Sequence, residues 1–194
     1  MEIILIRHGQ SEGDILEVHE GRADLELTGE GARQARKMAL WLKDNEKIEK
    51  IISSPLKRAF KTANMIKEFC GCTLEIDDTL MEWDNGLLAG VKRDEAAKIF
   101  PLPEGGRKPH ETLYETESMI EFRTRAELFV SKLKEARYER ICLVSHGGMI
   151  NMLLRSLLEL PMTSQMSFSC EDTCLHKIKL MEKKCHIYYM NKIV

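Results

Sequence analysis

Apolar residues in this chain follow two spacings that alternate along its length. Ile3-Ile4-Leu5-Ile6, Ile51-Ile52-Ser53 and Ile141-Cys142-Leu143-Val144 are short unbroken runs, the pattern of strands buried on both faces. Residues 2–6, 51–53 and 141–144 therefore read as strands, with a further short one over Leu74 to Ile76. Between them the apolar positions recur every three or four residues. Ala32, Ala35, Ala39 and Leu42 mark a helix over 28–43 with Thr28 as its N-cap. Ala59, Ala63, Ile66 and Phe69 mark another, opened by Pro55. Helices are also expected over 93–99, about 117 to 136 and 149–158. Strands alternating with helices imply right-handed crossovers. The expected fold is an α/β three-layer sandwich with a mostly parallel central sheet and helices on both faces.

Two stretches depart from this rhythm. Cys174 to Leu180 and His186 to Tyr189 read as strands joined by a turn at Glu182-Lys183-Lys184, an antiparallel hairpin at one sheet edge. Segment 92–116 carries Pro101, Pro103, Gly105, Gly106 and Pro109 after its short helix. It reads as a small helical and loop insertion capping the active-site end of the sheet, inside a single domain spanning 1–194.

Composition narrows the partners. The formal net charge of −2 gives no overall reason to expect nucleic acid or an anionic membrane. No stretch approaches the roughly 18–20 apolar residues that span a bilayer. The first strand begins at once, without a basic region and apolar signal core, so a cytoplasmic protein is expected. Cys70, Cys72, Cys142, Cys170, Cys174 and Cys185 form no CxxC pair. They read as reduced packing thiols, since neither Cys70-x-Cys72 nor Cys170-x-x-x-Cys174 has standard zinc spacing.

The chemistry collects where strands end. In open α/β sheets ligands bind outside the carboxyl ends of the strands. The first strand delivers Arg7 and His8, with Gly9 expected to allow a tight turn. The second delivers Ser53-Ser54-Pro55-Leu56-Lys57-Arg58, and the strand at 141–144 delivers Ser145-His146-Gly147-Gly148. Two arginines with forked donors, two helix N-termini and a glycine pair suit a phosphoryl group. One histidine can attack phosphorus while the other donates to a phosphoryl oxygen. Glu82, beside Trp83, is the candidate to protonate the leaving oxygen, with Asp84 next. His19, His110, His176 and His186 have no supporting neighbours in sequence, and the last two read as strand-surface residues.

Together these segments resemble the histidine phosphatase superfamily, in its phosphoglycerate mutase-like branch. Arg7-His8-Gly9-Gln10-Ser11 matches the opening motif, and Gly21-x-x-Asp24-x-x-Leu27-Thr28-x-x-Gly31-x-x-Gln34-Ala35 the next. Ser53-Ser54-Pro55-Leu56-x-Arg58-Ala59-x-x-Thr62-Ala63, Leu80-x-Glu82-x-x-x-Gly86 and Ser145-His146-Gly147-Gly148 follow in order. The resemblance implies His8 as the nucleophile that becomes phosphohistidine. It implies Arg7, Arg58 and His146 as phosphate ligands and Glu82 as general acid, then base. It implies no metal and no cofactor, and a small phosphorylated metabolite as substrate, such as α-ribazole phosphate, a sugar phosphate or a broad set. The alternatives are a cofactor-dependent phosphoglycerate mutase and a non-catalytic module that binds phosphorylated ligands. The chain differs from the family pattern at Asp14, where asparagine is usual, at Glu20 for glutamine and at Glu26 for proline. It differs again at Leu88-Ala89-Gly90 for tryptophan-glutamate-glycine, and at Thr116-Glu117-Ser118 for glycine-glutamate-serine. These changes fall around the phosphate core, where Asp14, Ser11 and Gly21 are candidate substrate-rim residues.

Overall fold

The computed structural model describes residues 1–182 and 184–194. Among these residues six strands form one sheet: β1 (Glu2–Arg7), β2 (Lys50–Ser53), β3 (Thr73–Ile76), β4 (Arg140–Ser145), β5 (Leu175–Met181) and β6 (Lys184–Lys192). Their order is β3-β2-β4-β1-β5-β6. The first four are parallel, while β5 runs antiparallel to β1 and to β6. The sheet is thus mostly parallel with an antiparallel pair at one edge. Of the expected turn at Glu182-Lys183-Lys184, Lys183 lies outside the described residues.

The helices are α1 (Glu12–Leu16), α2 (Gly29–Asn45), α3 (Lys57–Cys70), α4 (Arg93–Ile99), α5 (Met119–Glu135) and α6 (Gly147–Leu157). Strand alternation sorts the core into two layers. Ile3, Leu5, Ile141 and Leu143 face one way and pack with Phe122, Phe129 and Val130 of α5 and with Ile150, Leu153 and Leu154 of α6. Ile4, Ile6, Cys142 and Val144 face the other way, onto Met38 and Leu42 of α2 and Ala59 and Ile66 of α3. Each such side chain taken fully from water contributes about 1.5–3 kcal/mol. That double burial is why β1 and β4 read as continuous apolar runs.

Three expectations need correction. The last helix starts at Gly147 rather than at 149, because His146 has extended backbone and serves as its N-cap. Gly147 and Gly148 therefore form its first turn. Gly9 is not needed for a turn of positive φ. A Cβ there would lie 2.4 Å from the Gly31 carbonyl oxygen, so close contact with α2 is what excludes a side chain. His176 is not on the strand surface but wholly buried, because it lies on the inward face of β5 with Ile178, against Met190 of β6.

Candidate active site

The register Arg7↔Ser145 makes β1 and β4 end side by side. Arg7-His8 and His146 leave the sheet together, fixed by the His8 N–H donating to the Ser145 carbonyl at 3.1 Å. β2 ends one strand further along, and the Ser54 N–H donates to the Val144 carbonyl at 3.0 Å. The two histidine rings meet edge to face, centroids 5.1 Å apart. His8, His146 and Arg58 are all 2% exposed or less.

Hydrogen bonds define the state of His8. Its Nδ1 lies 2.7 Å from the Gly9 carbonyl, an atom that can only accept. Nδ1 therefore carries the proton, and Nε2 keeps its lone pair. The Arg58 Nε–H donates to that Nε2 at 3.2 Å. Burial, then the charges of Arg58 and Arg7, push the His8 pKa down to about 3. A neutral imidazole with an aimed lone pair is a nucleophile ready without deprotonation. Burial and the charge of Arg58 also hold His146 well below the ordinary range. Its Nε2 shares a 2.8 Å hydrogen bond with the Ser54 hydroxyl, while its buried Nδ1 has no partner.

The two arginines are held differently. Arg58 donates from Nη1 to the Ala23 carbonyl at 2.9 Å and from Nη2 to the Gly21 carbonyl at 2.8 Å. Arg7 donates from Nη1 to the Cys170 carbonyl at 2.8 Å. Its Nη2 sits between Asp14 Oδ1 at 3.4 Å and Asp172 Oδ1 at 3.1 Å.

Glu82 sits at the start of α6. Its Oε2 accepts from the Gly148 N–H at 2.8 Å, and its Oε1 from the Met149 and Trp83 N–H groups at 3.0 and 2.9 Å. A Cβ on Gly148 would lie 2.5 Å from Glu82 Oε1. Gly148 thus makes room for the Glu82 carboxylate, whereas a Cβ on Gly147 would meet only Arg7 at ordinary contact distance. Arg125 of α5 fixes the loop behind it, donating to the carbonyls of Thr79, Met81 and Glu82. Asp84 turns away to pair with Arg22 at 3.1 Å.

Arg7, His8, Arg58, Glu82, Gly147 and Gly148 line one cavity of about 360 Å³. Asp14 and Gly21 line it as well. Ser11 does not reach this rim: it is fully buried and caps α1, its hydroxyl donating to Asp14 Oδ2 at 2.8 Å. Of segment 92–116 only Arg93 lines the cavity. His19 and Glu20 line it too, and Glu20 Oε1, with no hydrogen-bond partner among the described residues, lies 3.7 Å from Arg58 Nε. Sequence reading missed His19, Arg93 and Asp172. The first two had no motif around them, and Asp172 meets Arg7 only through tertiary folding. A larger hollow of about 790 Å³ lies at the other end of the sheet, lined by Met1, Tyr138, Leu157 and Leu180. None of the histidines or arginines above reaches it.

A buried imidazole, two guanidinium groups and a helix start around one cavity on an α/β sheet make up a set of groups suited to an anion. The sequence profile of the histidine phosphatase superfamily (branch 1) matches residues 3–193. The chain belongs to that superfamily, in its phosphoglycerate mutase-like branch, and so to the phosphatases. It is 31% identical to a protein of Hydrogenobacter thermophilus named putative phosphoserine phosphatase 2, over 98% of this chain and 95% of that one. It is 33% identical to a probable phosphoglycerate mutase of Proteus mirabilis, over 83% and 76% of the two chains. Its fold is that of a putative α-ribazole-5′-phosphate phosphatase of Escherichia coli, with a TM-score of 0.89 at 23% identity, covering 100% and 97% of the chains. A mycobacterial glucosyl-3-phosphoglycerate phosphatase has the same fold, with a TM-score of 0.84 at 24% identity over 98% of each chain. Among the described residues no helix is long and apolar enough to cross a membrane.

Proposed function

We propose that this protein is a metal-independent phosphomonoesterase that hydrolyses a small phosphorylated metabolite through a phosphohistidine. The observation that carries the reading is the tautomer of His8. Nδ1–H is tied to the Gly9 carbonyl, and the lone pair of Nε2 faces the Arg58 Nε–H. The Nε2 lone pair gives up its hydrogen bond from the Arg58 Nε–H and forms a bond to phosphorus while the bond from phosphorus to the ester oxygen breaks. Glu82 gives that oxygen its proton. Arg7, Arg58 and the Nδ1–H of His146 stabilise the equatorial phosphoryl oxygens; the Ser54 hydroxyl, donating to His146 Nε2, sets that tautomer. Glu82 then takes a proton from water, the resulting hydroxide attacks phosphorus, and His8 leaves with its lone pair restored. Two guanidinium groups supply the charge neutralisation that a divalent ion supplies in other phosphatases. The rim, with Asp14 and Glu20 beside His19 and Arg93, suits a substrate whose body is polar and carries hydroxyl or ammonium groups.

The test is phosphate release from a panel of phosphoglycerates, α-ribazole phosphate, sugar phosphates and phosphoserine, with a chelator present. Turnover that survives chelator and disappears in His8→Ala supports the reading; inactivation by chelator overturns it. The likeness to a probable phosphoglycerate mutase supports a second reading, isomerisation of phosphoglycerate. It predicts mutase turnover far above phosphate release after priming with the bisphosphate.

A further inference from the structure

The turn before β5 brings together three groups that the phosphatase chemistry does not use. Cys170 Sγ and Cys174 Sγ are 3.4 Å apart, and Cys174 Sγ is 3.4 Å from His176 Nε2. The Cys174 N–H donates to the Glu171 carbonyl, so a tight turn closes the gap between residues four apart in sequence. His176 and Cys174 are wholly buried, while Cys170 is partly exposed.

The set of two sulfurs and an imidazole suggests a metal, but hydrogen bonding argues for another role. The Asn191 backbone N–H donates to His176 Nδ1 at 3.3 Å. Nδ1 is therefore the acceptor, with the Met190 sulfur beside it at 3.2 Å, and Nε2 carries the hydrogen. An Nε2–H aimed at Cys174 donates to a thiolate; it has no lone pair for a metal there. We propose that Cys170 and Cys174 are an oxidisable dithiol whose disulfide displaces Arg7 and lowers phosphatase activity.

The surroundings fit that chemistry. The Cys170 thiol donates to Cys174, and His176 and the Arg7 backbone add hydrogen bonds, which lowers the Cys174 pKa against the opposing effect of burial. The Cys170 thiol is raised, first by its hydrogen bond to Cys174 and then by burial. Cys170 reaches solvent and meets a hydroperoxide. Its proton passes to the Cys174 sulfur across their shared hydrogen bond, the thiolate so formed attacks one peroxide oxygen, the O–O bond breaks, and the departing hydroxide takes the proton back from Cys174, leaving a sulfenic acid and water. The Cys174 thiolate attacks that sulfur, the S–O bond breaks, and hydroxide leaves and takes a proton from solvent. Each sulfur gives up one electron, and the peroxide takes both.

The consequence follows from distance. A disulfide needs sulfurs about 2.05 Å apart, so the two sulfurs, 3.4 Å apart here, must close by more than an ångström, and in the proposal the turn that carries them moves as they do. That same turn supplies the Cys170 carbonyl and the Asp172 carboxylate that hold Arg7. A shift of this size at a group that positions substrate costs on the order of tenfold or more in rate.

The experiment treats the reduced full chain with hydrogen peroxide, then blocks and digests it without reductant. Residues 156–177 form one tryptic peptide holding these two cysteines and no other. It should become about 2 Da lighter, having lost two hydrogens. Activity on an aryl phosphate should fall about tenfold and return with dithiothreitol. Cys170→Ser, and separately Cys174→Ser, should each show no thiol-reversible loss relative to their own untreated activity. The proposal is overturned if the peptide keeps its reduced mass, or if the disulfide forms with activity unchanged. It is overturned equally if Cys170→Ser loses activity reversibly as the parent does, or if the pair holds stoichiometric zinc that protects it. The activity arm rests on the phosphatase reading, whereas the mass shift is read without it, so the two can fail separately.

Discussion

The two arginines of the site show how one residue type serves two ends. Arg58 is 1% exposed, and both Nη atoms donate to backbone carbonyls while its Nε donates to His8 Nε2. It belongs to the frame as much as to the ligand set. Arg7 has a side chain 22% exposed and lies between two carboxylates, with one carbonyl behind it. A phosphoryl dianion must draw Arg7 away from Asp14 and Asp172, whereas Arg58 is already oriented. On the proposed mechanism the locked half governs the chemical step, and the shared half governs how tightly phosphate is held.

Replacing Arg58 by lysine attacks the locked half hardest. An ammonium cannot span His8 Nε2 and the carbonyls of Gly21 and Ala23 together, so buried acceptors lose their donors. We expect kcat/KM for an aryl phosphate to fall by roughly 10²–10³, or about 2.7–4 kcal/mol. The fall should lie in kcat; a change confined to KM would place Arg58 with Arg7 rather than with the nucleophile.

Glu82→Gln comes next. Glutamine retains an acceptor for some of the N–H groups at the start of α6 but cannot deliver the proton. Turnover of alkyl phosphates should drop about 10²-fold, and that of nitrophenyl phosphate only several-fold, because a good leaving group needs little acid help. The ratio of the two losses is the readout, since it cancels any disturbance common to both. Equal losses would remove Glu82 from the acid role.

The locked half was the more legible in sequence. His8, Arg58 and His146 each stand within a few residues past the end of a buried apolar run, so strand periodicity located them. Arg7 itself was read from the same strand end, but the partners that hold it were not, because those contacts span the chain: Arg7 meets the Cys170 carbonyl across 163 residues, and Asp172 is a lone acid in an irregular turn. The reading of His176 failed for a different reason. In β5, His176 lies in phase with Ile178 and out of phase with Lys177 and Lys179. Period-two alternation was the signal that it points inward. Gly148 was read as room for phosphate, and only the fold shows Glu82 filling that space.

Acid should weaken the locked half through its histidines. The folded chain keeps His8 neutral down to about pH 3, while an unfolded histidine takes up a proton near its ordinary pKa. Between those limits the unfolded state binds more protons, so stability falls as pH drops below about 6.5, by about 1.4 kcal/mol per pH unit for each such histidine. His146 adds to the slope in the same direction. Denaturant unfolding at pH 7.5, 6 and 5 measures it. His8→Gln should flatten the slope by the share of one histidine; an unchanged slope would mean that His8 is charged in the folded protein.

The smallest effect probes the shared half. Asp172 is partly buried beside Arg7, and burial raises its carboxyl above the usual range. Asp172→Asn keeps an oxygen for Arg7 but removes a negative charge that competes with phosphate. The pair is partly solvated, so the change is worth under about 1 kcal/mol. KM for an aryl phosphate should fall about two- to fivefold with kcat nearly unchanged, and inorganic phosphate should inhibit correspondingly more tightly. A substitution near an active site that improves phosphate binding is hard to ascribe to damage. A rise in KM would show instead that Asp172 positions Arg7 more than it competes for it, and the two arginines would then differ in exposure but not in role.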